Sequence, residues 1–81
     1  MIIELLNYIG KIKNDTGKPG RAYLFNIIKE EYSFDCILFI HDDIVFVSLH
    51  DDEIKNNIDK DEIKNAIINK YTLKTLREYE N

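Results

Sequence analysis

The stretch that most constrains this chain runs from Cys36 to Leu49, a strongly apolar run broken in its middle by His41-Asp42-Asp43. Its two halves, CILFI and IVFVSL, are rich in β-branched and aromatic residues and predict two strands joined by a tight turn. With Asp42-Asp43 as the turn, Ile40 stands opposite Val45, Leu38 opposite Val47 and Cys36 opposite Leu49. That face is entirely apolar and has to be core. The other face carries Ile37, Phe39, Ile44 and Phe46, with His41, Ser48 and His50 toward its ends. Four large apolar groups need cover from a helix or a partner, because a bare patch of that size marks an interaction site.

The remaining segments are read against this hairpin. Ile2, Leu5, Leu6, Ile9 and Ile12 recur at helical spacing, so residues 2–13 predict an amphipathic helix that Gly10 weakens. Residues 14–20 hold two of the three glycines and the only proline, and predict a loop. Residues 21–34 fit either period. Leu24, Phe25, Ile28 and Tyr32 share a helical face, while Tyr23, Phe25 and Ile27 alternate as in a strand. A lone hairpin is barely stable and a third strand completes a sheet, so the strand is preferred. Asp59 followed by Glu62 is an N-cap signature with a reciprocal capping carboxylate, which starts a helix near Lys60. Ile63, Ala66, Ile67 and Tyr71 then line one side of it; Ile54 and Ile58 form a short turn before it, and Leu73, Leu76 and Tyr79 extend it or pack as a separate turn. The expected architecture is α+β, a single domain over residues 1–81 in the order α-β-β-β-α around an antiparallel sheet. The fallback is α-α-β-β-α around the β-hairpin.

Eighty-one residues leave room for one core only, and 44% hydrophobic content argues for a folded chain. The single Cys36 cannot form an internal disulfide and reads as a small buried hydrophobe in a reducing compartment. Glu4 and Asn7 interrupt the apolar N-terminus, and no run reaches the ~18 apolar residues of a membrane span, so no signal peptide and no membrane contact are expected, and the location is expected to be cytoplasmic. Fourteen Ile against two Val, and nine Lys against two Arg, follow AT-rich codons, so lysine abundance alone is no functional signal.

Charge is uneven along the chain. Residues 1–34 hold five bases against four acids, residues 35–81 six bases against eleven acids, and the whole is −4. Eight acids crowd between positions 42 and 62: Asp42, Asp43, Asp51, Asp52, Glu53, Asp59, Asp61 and Glu62. Such a surface repels nucleic acid at long range and favours a basic partner.

Few residues promise chemistry. His41-Asp42-Asp43 and His50-Asp51-Asp52 resemble halves of a metal site, but the hairpin sets the two histidines about 20 Å apart at ~3.3 Å per strand residue. They read better as a polar turn and an acidic helix start. Cys36 has no evident base, Ser48 sits within a strand, and the Gly10 to Lys18 spacing does not make a phosphate loop. The expectation is therefore no catalytic residue, no metal, no cofactor and no enzyme. The basic segment with Lys11, Lys13, Lys18 and Arg21 against Asp15 alone could meet phosphates.

The α-β-β-β-α order, a loop with Gly17 and Pro19 ahead of a strand, and Lys60-x-x-x-Lys64-Asn65-Ala66 opening the last helix together resemble a double-stranded-RNA-binding domain. The resemblance implies that fold, with phosphate contacts from lysines at the last helix's start, matched here by Lys60 and Lys64. Asp59, Asp61 and Glu62 surround those lysines with negative charge, as do Glu30 and Glu31 at the loop after the first predicted strand.

The leading functional expectation is a small acidic interaction protein, an inhibitor or regulator. It would occlude a protein with a basic surface, such as a nucleic-acid-binding enzyme, through Asp42–Asp43 or the acids of 51–62. The analogy is to compact acidic proteins of viruses and mobile elements that mimic nucleic acid, and it is one of size and charge. The alternative is a nucleic-acid-binding regulator using Lys11, Lys13, Lys18, Arg21, Lys60 and Lys64. A homodimer through the second apolar face fits both.

Overall fold

In a computed structural model that describes residues 1–79, the chain opens on a four-stranded antiparallel meander and closes on three short helices. The strands are β1 (Ile2–Lys13), β2 (Pro19–Lys29), β3 (Tyr32–His41) and β4 (Ile44–Ser48), paired in chain order. The helices are α1 (Asp52–Asn57), α2 (Lys60–Lys70) and α3 (Leu73–Arg77). The α+β class stands, but neither expected order does. Both expected orders opened on a helix, as does the order implied by the double-stranded-RNA-binding resemblance, whereas this chain opens on an edge strand.

The misreading of residues 2–13 has a physical cause. β1 pairs with β2 along its whole length, from Ile2 opposite Ile28 to Lys13 opposite Pro19, but the register slips between Leu5 and Asn7 and again between Tyr8 and Gly10. Each slip adds a residue, Leu6 and then Ile9, to one strand only. Positions facing the helices are therefore Ile3, Leu5, Tyr8 and Lys11, separated by two, three and three residues. Two bulges turn an alternating strand into a pattern that copies helical spacing. Gly10 sits at the second slip with φ +126°, a conformation an L side chain rarely adopts.

Three tight turns set the meander. The β1–β2 loop is closed by Asn14, whose Oδ1 accepts from the Thr16 and Lys18 backbone N–H groups at 3.0 Å and from the Thr16 hydroxyl at 2.7 Å. The expected 21–34 segment divides at a second turn, where Glu30 takes φ +54°, so Tyr32 to Phe34 begin β3 instead of ending β2. The third turn is Asp42-Asp43, with φ of +47° and +64°, the left-handed pair that matches hairpin twist. Ile40 does face Val45 and Leu38 does face Val47.

All three helices cover one face of the sheet. Tyr23, Phe25, Ile27, Cys36, Leu38 and Ile40 are buried there against Ile54, Ile58, Ile63, Ile67 and Leu76. Polar ties fix the layer: the Tyr23 hydroxyl donates to the Leu76 carbonyl at 2.9 Å, and Lys70 Nζ donates to the Ile3 carbonyl at 2.6 Å. The Phe25 and Tyr71 rings meet edge to face at 5.4 Å. Asp59 caps α2 as expected, but it accepts from the Asp61 N–H, and Glu62 reaches Lys29 at 2.6 Å in place of the reciprocal capping bond. α3 is a separate helix with Thr72 as its N-cap.

Candidate interaction surface

Because all the helices lie on one side, no described element covers the other, bare side of the sheet, where only Ala22 and Phe39 are buried, among their neighbours. The register assigns its positions: Ile2, Glu4, Asn7, Gly10 and Ile12 from β1; Gly20, Ala22, Leu24, Asn26 and Ile28 from β2; Ser33, Asp35, Ile37, Phe39 and His41 from β3; Ile44, Phe46 and Ser48 from β4. Ile2 is 61% exposed, Ile44 55% and Phe46 46%; Ile12 and Ile28 are exposed as well. Scattered surface apolar residues are ordinary, but a contiguous apolar sheet face is not.

The face is built locally as well as bared globally. The Phe39 ring lies across β2 above Gly20, where an added Cβ would come within 2.4 Å of the ring and 2.5 Å of the Ile40 carbonyl oxygen. Gly20 is thus required by the packing of the open face. Phe39 tilts against Phe46 with ring centroids 6.3 Å apart. Together with Ile12 and Ile37 these rings floor a groove of about 420 Å³, walled by residues 13–16 of the hairpin loop and by His50. The charged residues around the face are mainly acidic: Glu4 and Asp35 lie on it, Asp15 lines the groove, and Asp42 and Asp43 form the turn beside Ile44. Lys13 is the cation at the groove.

The eight acids singled out in the sequence do not form one face. Asp51 and Asp59 are N-caps, and their carboxylates accept from Glu53 N and Asp61 N at 2.9 Å. Asp52 and Glu53 fill the first turn of α1, Asp61 and Glu62 that of α2. Glu62 pairs with Lys29, Asp61 lies 3.8 Å from Lys64, and Asp43 accepts from Arg77 at 2.9 Å. Asp42 lies 3.3 Å from His41 Nε2. Partial burial, then the charges of Glu31, Glu53 and Glu30, raise the Tyr32 hydroxyl above its usual range. Of the eight, Asp42 and Asp43 alone adjoin the bare face, and the other six serve the helix N-termini.

The bases divide too. Lys11 stands opposite Arg21 on the β1–β2 ladder, and both line a cleft with Arg77. Lys13 ends β1 and Lys18 lies in the hairpin loop, while Lys60 and Lys64 line a separate recess beside Val45 and Val47.

The chemistry-bearing residues are held structurally. Burial and the neighbouring Asp35 push the Cys36 thiol up to about 12, so it stays protonated. His41 Nδ1 donates to the Pro19 carbonyl at 2.6 Å. Asp35 accepts from Asn26 at 2.9 Å. Among the described residues no group of three or more His, Cys, Asp or Glu is placed to hold a metal ion, and no helix is long and apolar enough to cross a membrane. Sequence reasoning missed Glu4, Ile12 and Arg77. The first two were hidden by reading β1 as a helix, and no sequence signal ties Arg77 to Lys11.

No protein-family model matches the chain, and no curated protein or solved structure matches it at a significant level.

Proposed function

We propose that this is a small non-enzymatic interaction protein, an inhibitor or regulator that docks on a partner protein with the bare face of its sheet. The observation that carries the reading is one-sided cover: helices bury one face, while Ile12, Ile28, Ile44 and Phe46 stand exposed on the other. The arrangement has the anatomy of a docking surface, an apolar centre with charged groups at its margin. Glu4, Asp15, Asp35 and Asp42 make that margin acidic, so the complementary partner carries an apolar contact ringed by lysine or arginine. A nucleic-acid-binding enzyme is one class with such a surface. The mechanism is occlusion: the sheet face covers the partner's site, and the acids steer the approach. The acids at the helix starts serve capping and ion pairing, which shifts the expected docking surface from those acids to the sheet. A second copy fits less well, because it would bring two acidic margins together in a chain of net charge −4.

The test is affinity capture from nuclease-treated lysate of the source cells, with wild-type protein beside Phe46→Ser and Lys60→Glu variants. The expected result is a basic protein retained by wild type and Lys60→Glu and lost by Phe46→Ser. Retention by Phe46→Ser overturns the sheet-face assignment. Sedimentation of the purified protein separates self-association: a dimer that Phe46→Ser dissociates makes a second copy the occupant.

A further inference from the structure

The two edges of the sheet are finished differently. β1 carries bulges at Leu6 and Ile9, and such irregularities blunt an edge against further pairing. β4, the other edge, pairs with β3 without a slip and holds no proline, glycine or charged residue between Ile44 and Ser48. α2 packs against β4 but does not close its outer side. Between them lies a recess of about 230 Å³ lined by Val45, Phe46, Val47, Lys60, Asp61 and Lys64.

The hairpin fixes what this edge presents. Across a two-residue turn the flanking pair, His41 and Ile44, exchanges both backbone bonds, and bonded pairs then alternate along the ladder. Ile44, Phe46 and Ser48 therefore bond to β3, while Val45 and Val47 turn their N–H and C=O groups to the open edge. Among the described residues nothing hydrogen-bonds them from that side. The charges beside the edge are uneven. Asp61 answers Lys64 at 3.8 Å, the Asp59 carboxylate is turned to the Asp61 N–H, and Glu62 is held by Lys29. Lys60 makes no ion pair among the described residues, which leaves the recess with an unanswered positive charge.

We infer that the β4 edge takes an extended segment of a partner protein as a further strand of the sheet, with an acidic side chain of that segment facing Lys60 and Lys64. Strands added in this way gain affinity from main-chain bonds and specificity from the side chains that alternate along them. A residue opposite Val45 or Val47 lies on the helix side, where the two lysines favour glutamate or aspartate. A residue opposite Phe46 lies on the bare face, where an apolar side chain packs beside the ring. A second copy fits poorly, because its own β4 supplies no acid and Asp43 ahead of it is already bonded to Arg77. The edge adjoins the docking face and shares Phe46 with it, the ring on the face and the backbone on the β3 ladder. Side chains meet the sheet-face partner, whereas the β4 main chain and Lys60 meet this segment.

The experiment titrates isotope-labelled full-length protein with the capped peptide Thr-Val-Glu-Val-Glu-Val-Thr, followed by amide chemical shifts and amide hydrogen exchange. Saturable shifts along Ile44–Ser48 and the start of α2 are expected, with a dissociation constant on the order of 1 mM or below. Exchange at Val45 and Val47 should slow with peptide, while Phe46, already bonded to β3, should change little. Replacing both glutamates of the peptide by lysine should weaken binding about tenfold, and Lys60→Glu should reverse that preference. Lys60→Glu is expected to keep the sheet-face partner, and Phe46→Ser leaves the main chain of the edge in place, so the two readings fail separately. The absence of saturable shifts, unchanged exchange at Val45 and Val47, or equal binding of the two peptides by wild type overturns the assignment. So does movement of the same amides on dilution without peptide, which makes a second copy the occupant.

Discussion

The two faces of the sheet are made from much the same side chains and have opposite fates. Tyr23, Phe25, Cys36 and Leu38 are wholly buried, while Ile2, Ile44, Phe46 and Ile28 keep between 40% and 61% of their surface in water. Composition does not separate them. What separates them is that the chain supplies its helices after β4 and packs all three on one side. An apolar face is core only where another element covers it, and among the described residues all three helices cover the first face.

The comparison breaks first if the covered face is not the one that holds the fold. Phe25→Ala removes a ring that touches the sheet core and Tyr71, and should cost about 3–5 kcal/mol in chemical denaturation. A domain of this size has about 5–15 kcal/mol in all, so Phe25→Ala should be largely unfolded by warming that wild type survives. A loss below ~1 kcal/mol would mean that the helices are only loosely seated on the sheet.

Gly20→Ala comes next, with an expected loss of about 1–3 kcal/mol, because the new methyl would press on the Phe39 ring and on the Ile40 carbonyl. The ring can swing outward but the carbonyl belongs to the ladder. A neutral outcome would show that Phe39 is not seated over β2, and the groove of the bare face would lose its floor.

Cys36 sharpens the contrast by pH. Its thiol titrates near 12 when folded against an ordinary value of 9.0, so between those values the folded state keeps a proton that the unfolded state has lost. This contribution is intact below pH 9 and declines as pH rises from there toward 12. Cys36→Val should flatten the stability profile over that window, and native Cys36 should resist alkylation until the protein unfolds. Rapid alkylation of folded protein at neutral pH would place the residue outside the core.

Legibility of the fold followed the locality of the signals. The β3–β4 hairpin could be read because turn chemistry and alternation agree over a dozen adjacent residues, down to Ile40 opposite Val45. The α2 N-cap at Asp59 was equally local. β1 could not be read, because its period is set by two bulges that exist only in the pairing with β2. The arrangement of the acids was out of reach for a related reason. Sequence shows that carboxylates cluster between 42 and 62, but not that Asp51 and Asp59 are turned back onto their own helix starts. The Lys11–Arg21–Arg77 cleft needs the β1–β2 register and the docking of α3, and neither is visible along the chain.

The smallest effect on stability belongs to the residue on which the functional proposal depends most. Phe46 keeps 46% of its surface in water, and its main ring contact, with Phe39, is 6.3 Å between centroids. Phe46→Ser removes a ring contact with the buried Phe39, exposes no buried polar group and sits on an edge strand of five residues. Its stability should stay within about 1 kcal/mol of wild type in denaturant melts. Partner capture should nevertheless fall away, because exposed aromatics at the centre of an interface carry a disproportionate share of binding energy. A large destabilisation would make Phe46 part of the core and erase the distinction between the faces. Unchanged stability with unchanged capture would leave the faces distinct and move the docking surface off the sheet.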